Sequence, residues 1–204
     1  MVRKCYPFGK KKAFNVTYDD GVLQDVRFVE LMNQYGLKGT FNLNSALMEN
    51  EFEWVHETGC VVKRLKTDVV KSLYVGHEVA SHTLNHPYMH DLSKGGIMWE
   101  LSQDKANLEA KFGKEIKGFA VPFDYYSELI EECVKECGFT YGRVSEMSYS
   151  FRPQNDFYRW KAMEKAEITD RYIQNHSDIS LWFTINDIIY EIKPREKNIY
   201  NEIY

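Results

Sequence analysis

Residues 13–43 read AFNVTYDDGVLQDVRFVELMNQYGLKGTFNL, and the succession of patterns in this stretch decides the fold class. Ala13 to Tyr18 has the β-branched and aromatic content of a strand and ends in Asp19-Asp20-Gly21. From Gln24 to Tyr35, Val26, Val29, Leu31 and Met32 recur near one helical face, and Gly36 follows as a C-cap. Lys38 to Leu43 then reads as a second strand. A strand, a helix and a strand within about thirty residues is the unit from which parallel sheets are built.

The same order continues along the chain. Residues 45–60 are polar and irregular, Val61 to Tyr74 reads as helical, and Glu78 to Ser81 as a third strand running into His82. A long helix is expected over Ile97 to Phe112, with Ile97, Leu101, Leu108 and Phe112 spaced for burial. Gly118 to Phe123 is a fourth strand, Ser127 caps a helix that ends at Gly138, and Tyr141 to Ser145 is a fifth strand. The repeat implies a parallel sheet, either an open α/β layer or a barrel. In both, functional groups gather at the carboxyl ends of the strands. Residues 143–204 contain no glycine, although a tight α/β fold uses glycine at helix ends and turns. That tail is read as a divergent helix pair, or as a poorly ordered or truncated end.

Composition bounds the function. A chain of 204 residues, 44% hydrophobic and 15% aromatic, fits one domain, 1–204, with a real core. A net charge of -4 argues against general affinity for nucleic acid. No stretch approaches the roughly 20 apolar residues of a membrane helix. The first residues carry the charges of a signal peptide without an apolar segment behind them, so a cytoplasmic protein is expected. Cys5, Cys60, Cys133 and Cys137 show no CxxC spacing, and Cys133 and Cys137 share a helical face as small buried residues.

Three polar clusters fall at strand ends. In Asp19-Asp20-Gly21 the glycine lets the backbone turn so that both carboxylates reach one pocket. Two carboxylates that close repel unless a cation neutralises one, so a ligand and a base is one division of labour; a turn capping the next helix is the other reading. His82 and His86 are spaced to face one way on a helical turn and to chelate a metal, and His77 and His90 flank them, making four of the six histidines. Chance clustering is the plain alternative, weakened by the acidic pair, since two His and one carboxylate with open positions form a catalytic metal set. In Gly118-Phe119-Ala120-Val121-Pro122-Phe123, the proline fixes the chain and leaves the Phe123 amide able to meet a developing oxyanion, or simply ends a strand.

Together, in order and spacing, these segments resemble the polysaccharide deacetylases, the NodB-homology or carbohydrate esterase family 4 enzymes. TYDDG is similar to the family's first motif, SHTLNHP to its H-[ST]-x-x-H motif, YGLKGTFNLN and GHEVASHT to its second and third strands, and GFAVPF to its third motif without the usual Arg. The resemblance runs from about residue 8 to about residue 160 and leaves 166–204 outside it. It implies a deformed (β/α)7-type barrel with its C-terminal closure open to question. It implies Asp19 as catalytic base, and Asp20, His82 and His86 as ligands of a divalent metal, most often Zn2+, with Co2+, Ni2+ or Fe2+ also suited. Phe123 falls at the oxyanion position, and FYRW, which ends in Trp160, is similar to an aromatic segment lining the pocket of relatives. Pro122, Tyr125 and Trp160 are the candidate substrate-binding residues, and Trp54, Tyr88 and Tyr126 are further aromatics for a sugar-stacking rim, with ordinary core or surface packing as the plainer role of most of these rings. The implied partner is an acetylated carbohydrate or related small molecule.

Three departures stand out. Ala120 and Val121 leave no Arg to tether the base, for which Arg143 is a candidate substitute, a surface or structural Arg being the other reading. Asp124 stands where many relatives have Gly. Nothing in LWFTINDIIYEI matches the last motif, whose His protonates the leaving group, and His176 is the only histidine after His90. The expected activity is removal of acetyl groups from an N- or O-acetylated carbohydrate. The alternatives are an impaired relative that binds metal and sugar without turnover, and an amidase acting on a non-carbohydrate amide or imide.

Overall fold

The structure, a computed structural model, describes residues 15–48, 53–55, 59, 61–123, 125–148, 154–162, 181–185 and 188–192. The chain separates into two compact units, residues 1–145 with 153–160, and residues 146–152 with 161–204.

In the first unit the strands β1 (Val16–Asp19), β2 (Gly39–Leu43), β5 (Glu78–Ser81), β6 (Gly118–Ala120) and, as far as Ser145, β7 (Tyr141–Met147) lie side by side, each parallel to the next. Helix α1 (Asp25–Gln34) connects β1 to β2, α3 (Lys94–Phe112) connects β5 to β6, and α4 (Glu128–Glu136) connects β6 to β7. The expected barrel is present as a curled parallel half-barrel; with β8 (Trp160–Ala162) beside β7, six strands form the sheet. Every residue of β2 is buried, as expected of a parallel strand covered on both faces. Phe41 and Leu43 of β2, Val79 of β5 and Phe119 of β6 meet Val29 and Met32 of α1, Leu101 and Leu108 of α3, and Ile130 and Val134 of α4 in one core. Burying such side chains contributes about 1.5–3 kcal/mol each.

The helix boundaries follow local chemistry. Ser93 and Ser127 cap α3 and α4 by accepting from the amides of Gly96 and Ile130. Gly36 and Gly113 leave α1 and α3 in the left-handed conformation. Val26, expected on the buried face of α1, is instead exposed, and Leu31 is only half-buried, because the core contacts Val29 and Met32. Cys133 is buried and Cys137 half-buried, both as free thiols.

Between β2 and β5 the sequence expectation needs correction. Residues 61–74 are not one helix: β4 (Val61–Lys63) pairs antiparallel with β3 (Glu53–Val55), and α2 (Thr67–Leu73) starts only after extended Lys66. Two adjacent β-branched valines favour the strand. Strand β6 also stops at Ala120, short of Phe123. In the second unit, β9 (Leu181–Ile185) and β10 (Ile188–Ile192) form an antiparallel hairpin, which replaces the expected helix pair over these residues. Their runs of Leu, Ile, Trp, Phe, Thr and Tyr are strand-forming residues. Cys5, Cys60, Asp124 and His176 lie outside the described residues.

The buried carboxyl of Asp104 on α3 ties the sheet to the helix layer, accepting from the Ser45 amide at 2.7 Å and the Ser81 hydroxyl at 2.5 Å. Burial pushes this carboxyl from the ordinary 3.8 up to about 7, against those hydrogen bonds. A group raised in this way binds its proton more tightly when folded, so its contribution is full below about pH 4 and lost as pH rises through about 7. Asp104→Asn keeps an acceptor for Ser45 and offers an amide to Ser81, and should flatten that dependence. Relative to the parent it should gain stability at high pH, by at most on the order of 4 kcal/mol. Urea midpoints at about pH 4 and pH 8 check this, and equal losses in both proteins would contradict it.

Candidate metal centre and its carboxylate pair

The two aspartates reach one pocket because the backbone reverses at the end of β1. Asp20 and Gly21 both take left-handed conformations, φ 73° and 62°, which Asp and Gly tolerate better than bulkier residues. The turn is pinned to β2 by the Asp20 amide donating to the Asn42 carbonyl at 3.0 Å.

His82 and His86 converge, although not on a helical turn as expected. Residues 82–88 form an irregular loop in which Thr83 (φ 69°) and His86 (φ 55°) are both left-handed. For β-branched Thr83 this conformation is strained by about 1–3 kcal/mol, which the surroundings must offset. They do so with polar contacts. The Asn44 side-chain amide donates to the carbonyls of His82 and Thr83, the latter at 2.9 Å. Glu100 of α3 accepts from both the backbone and the side-chain amide of Asn85 at 2.9 Å. The His86 amide donates to the Thr83 hydroxyl at 3.1 Å.

The result is a donor set suited to a divalent cation. One ligand atom from each of Asp20, His82 and His86 lies within 4.8 Å of the others, and His86 Nε2 is 3.7 Å from Asp20 Oδ1. Tetrahedral coordination with bonds of about 2.0–2.1 Å needs ligand atoms about 3.3 Å apart, a modest contraction. The ring of buried His82 is oriented from behind, with Nδ1 2.8 Å from the Ala120 carbonyl. With the proton on Nδ1, Nε2 is free for metal, the second-layer arrangement typical of ligating histidines. Burial, and next the His82 imidazole, hold His86 below its ordinary value, favouring the neutral ring a metal requires.

Asp19 stands beside this set without belonging to it, its Oδ2 4.0 Å from His82 Nε2. Arg143 Nη2 donates to both Asp19 oxygens, at 2.6 and 2.5 Å, and the Asn42 side-chain amide donates to Oδ1 at 2.7 Å. Arg143 lies within β7, opposite Ala120, so its guanidinium reaches Asp19 from across the sheet. Burial raises the Asp19 carboxyl, but His82, Arg143 and Asn42 together bring it below its ordinary value. It is therefore held ionised, as a proton acceptor must be.

The remaining candidates divide. Phe123 is left-handed (φ 58°), follows buried Pro122, and sets its ring edge-on to His86 at 4.7 Å. The same ring stacks on exposed Tyr88 at 3.8 Å, Tyr88 meets His90 at 5.7 Å and His90 meets Tyr125 at 5.1 Å, a series of ring contacts that begins at His86. Among the described ring contacts Trp160 stacks on Phe157 at 5.5 Å and meets neither His82 nor His86. Tyr126 lies under the Arg159 guanidinium, and Trp54 under that of Arg64. Sequence motifs did not single out Asn42, Asn44, Arg64, Glu100 or Asp104; a buried strand or helix carrying an amide or carboxylate was the one signal for Asn42, Glu100 and Asp104.

The polysaccharide deacetylase family profile matches residues 8–142. The peptidoglycan-N-acetylglucosamine deacetylase of Bacillus cereus (strain ATCC 14579) is 27% identical over 131 residues, 63% of this chain and 54% of that protein. The Bacillus subtilis (strain 168) protein YlxY is 25% identical over 122 residues, 60% of this chain and 33% of that protein. The chain therefore spans between a third and about half of the length of these relatives. Among solved structures, IcaB from Ammonifex degensii superposes with a TM-score of 0.62 at 18% identity, over 74% of this chain and 66% of that one. The Streptococcus pyogenes deacetylase PplD in complex with acetate superposes with a TM-score of 0.56 at 20% identity, over 64% of this chain and 55% of that one. With the family profile covering β1 to β6 and all three polar clusters, the chain belongs to the polysaccharide deacetylase family.

Proposed function

We propose that this chain is a metal-dependent hydrolase that removes acetyl groups from an N- or O-acetylated carbohydrate. The observation that carries the proposal is the convergence of Asp20, His82 and His86 beside an ionised Asp19 that is not one of the three. Asp20, His82 and His86 would hold the divalent cation, zinc by choice of donors. Such a cation supplies Lewis acidity, polarising a carbonyl oxygen and acidifying water. Asp19 takes the proton of the attacking water, and Arg143 and Asn42 keep its carboxylate charged and aimed. The Phe123 amide, turned by its left-handed backbone beside His86, is the proposed donor to the tetrahedral oxyanion. The aromatic line through Phe123, Tyr88 and Tyr125 offers ring faces to a sugar. Support for a carbohydrate comes from family membership and from the named activity of the Bacillus cereus relative.

The test is acetate release by zinc-loaded protein from N-acetylglucosamine oligomers and from an acetyl ester. Release from either substrate, abolished by a chelator and restored by zinc, is the expected result. No release from both, with metal bound, favours the second reading, a relative that binds metal and sugar without turnover. That reading draws on one feature, the absence of a matching acid histidine in the sequence after His90. For the same reason the ester should be the better substrate, since an amine leaves poorly until protonated.

Arg143 gives a sharper prediction. Arg143→Met removes the charge that holds Asp19 down, so the Asp19 carboxyl rises and the acid limb of the kcat/KM profile moves to higher pH. A loss of about 10–100-fold in kcat is expected, the usual cost of deleting a group that orients a reacting one. An unshifted acid limb would show that Arg143 does not govern the base.

A further inference from the structure

Arg64 lies outside every motif of the sequence, yet the fold builds it into the metal centre from three directions. Its backbone is registered against the Asp-Asp-Gly turn by an antiparallel bridge between Val22 and Arg64. On either side of that bridge the Leu23 amide donates to the Lys63 carbonyl at 2.8 Å, and the Leu65 amide to the Gly21 carbonyl at 2.7 Å. Its guanidinium lies over the Trp54 ring at 4.9 Å, and only 9% of the side chain is exposed. Its Nη2 donates to Asp20 Oδ1 at 2.8 Å, the same oxygen that lies 3.7 Å from His86 Nε2. Guanidinium and metal therefore draw on one carboxylate.

The charges show what this arrangement does. Asp19 and Asp20 are adjacent anions, and each has its own guanidinium, Arg143 for Asp19 and Arg64 for Asp20. With neutral imidazoles the pocket is balanced before any metal arrives. Resting on the metal-site reading above, we propose that Arg64 is a positioning residue that stands in for the metal at Asp20, holding the carboxylate in place in the metal-free protein and lowering the site's affinity for divalent cations. Two effects of Arg64 oppose each other. Deleting a hydrogen bond that orients a ligand typically weakens metal affinity about 10–100-fold. A full positive charge at most about 5 Å from a doubly charged ion, the sum of a hydrogen bond and a metal–oxygen bond, would outweigh that where protein rather than water screens it. Removing Arg64 therefore tightens binding.

The experiment titrates zinc into metal-stripped, full-length protein in competition with a chromophoric chelator, with folding verified by circular dichroism. Arg64→Gln should bind zinc about tenfold more tightly than the parent, and Arg64→Lys, which keeps the charge, should stay within about threefold of it. The metal-free Arg64→Gln protein should melt below the parent, since Asp20 has lost its counter-charge, and should gain more in Tm on adding zinc. Equal or weaker zinc binding by folded Arg64→Gln overturns the proposal, as does an Arg64→Lys protein that behaves like Arg64→Gln. Zinc binding that is absent from the parent, or unchanged in His82→Ala, overturns the metal-site reading itself and is distinguishable from both.

Discussion

Asp19→Asn is expected to bind a divalent metal as the parent does and to lose about 10²–10⁴-fold in kcat. Asp19 is not in the converging set of three, so replacing its carboxylate leaves Asp20, His82 and His86 untouched. Asn is nearly isosteric, and its side-chain oxygen still accepts from Arg143 and from Asn42, which now bond Asp19 Oδ1 at 2.6 and 2.7 Å. What disappears is the basic lone pair. An amide oxygen has almost no affinity for a proton near neutral pH, so water loses its acceptor while the electrophilic side of the site remains. KM should change little. Steady-state kinetics and a metal assay on the same preparation check both halves, and near-parent turnover would remove Asp19 from its role.

His82→Ala should lose metal and activity together, with turnover falling to background. His82 is buried, its Nδ1 faces the Ala120 carbonyl, and its ring lies 4.8 Å from that of His86. Truncation removes one of the three proposed ligands and leaves the Ala120 carbonyl without its partner, a cost of about 1–3 kcal/mol in stability. The protein should therefore also melt earlier. Affinity must be measured on material shown to be folded. Retention of tight, stoichiometric metal by folded His82→Ala would mean that the metal sits elsewhere.

Much of this was legible in the sequence because period and punctuation agreed. The apolar spacing of α1 and α3, with Gly36 after the first, and Ser127 and Gly138 on either side of α4, places the helices to within a few residues. The strands β1 and β5 are short runs that end at polar clusters, and those clusters come together where strand ends must. The route of convergence was not legible. HxxxH spacing suits a helical turn, but the two rings meet through left-handed Thr83 and His86 held by Asn44 and Glu100, contacts made across long sequence separations. Arg64 was hidden for a related reason. Read as part of a helix over residues 61–74, it has no fixed register against Gly21, whereas in the β3–β4 hairpin it is bridged to Val22. Arg143 could be named as a candidate from its place in the fifth strand, but only the parallel register with Ala120 brings it to Asp19.

The account depends on three side chains sharing one ion. The direct measurement is a crystal structure of zinc-soaked protein with anomalous data collected at the zinc absorption edge. A single strong peak about 2.0–2.2 Å from an Asp20 carboxylate oxygen and from the Nε2 atoms of His82 and His86 is predicted. No peak there, or a peak bound by other residues while these three stay apart, would contradict it.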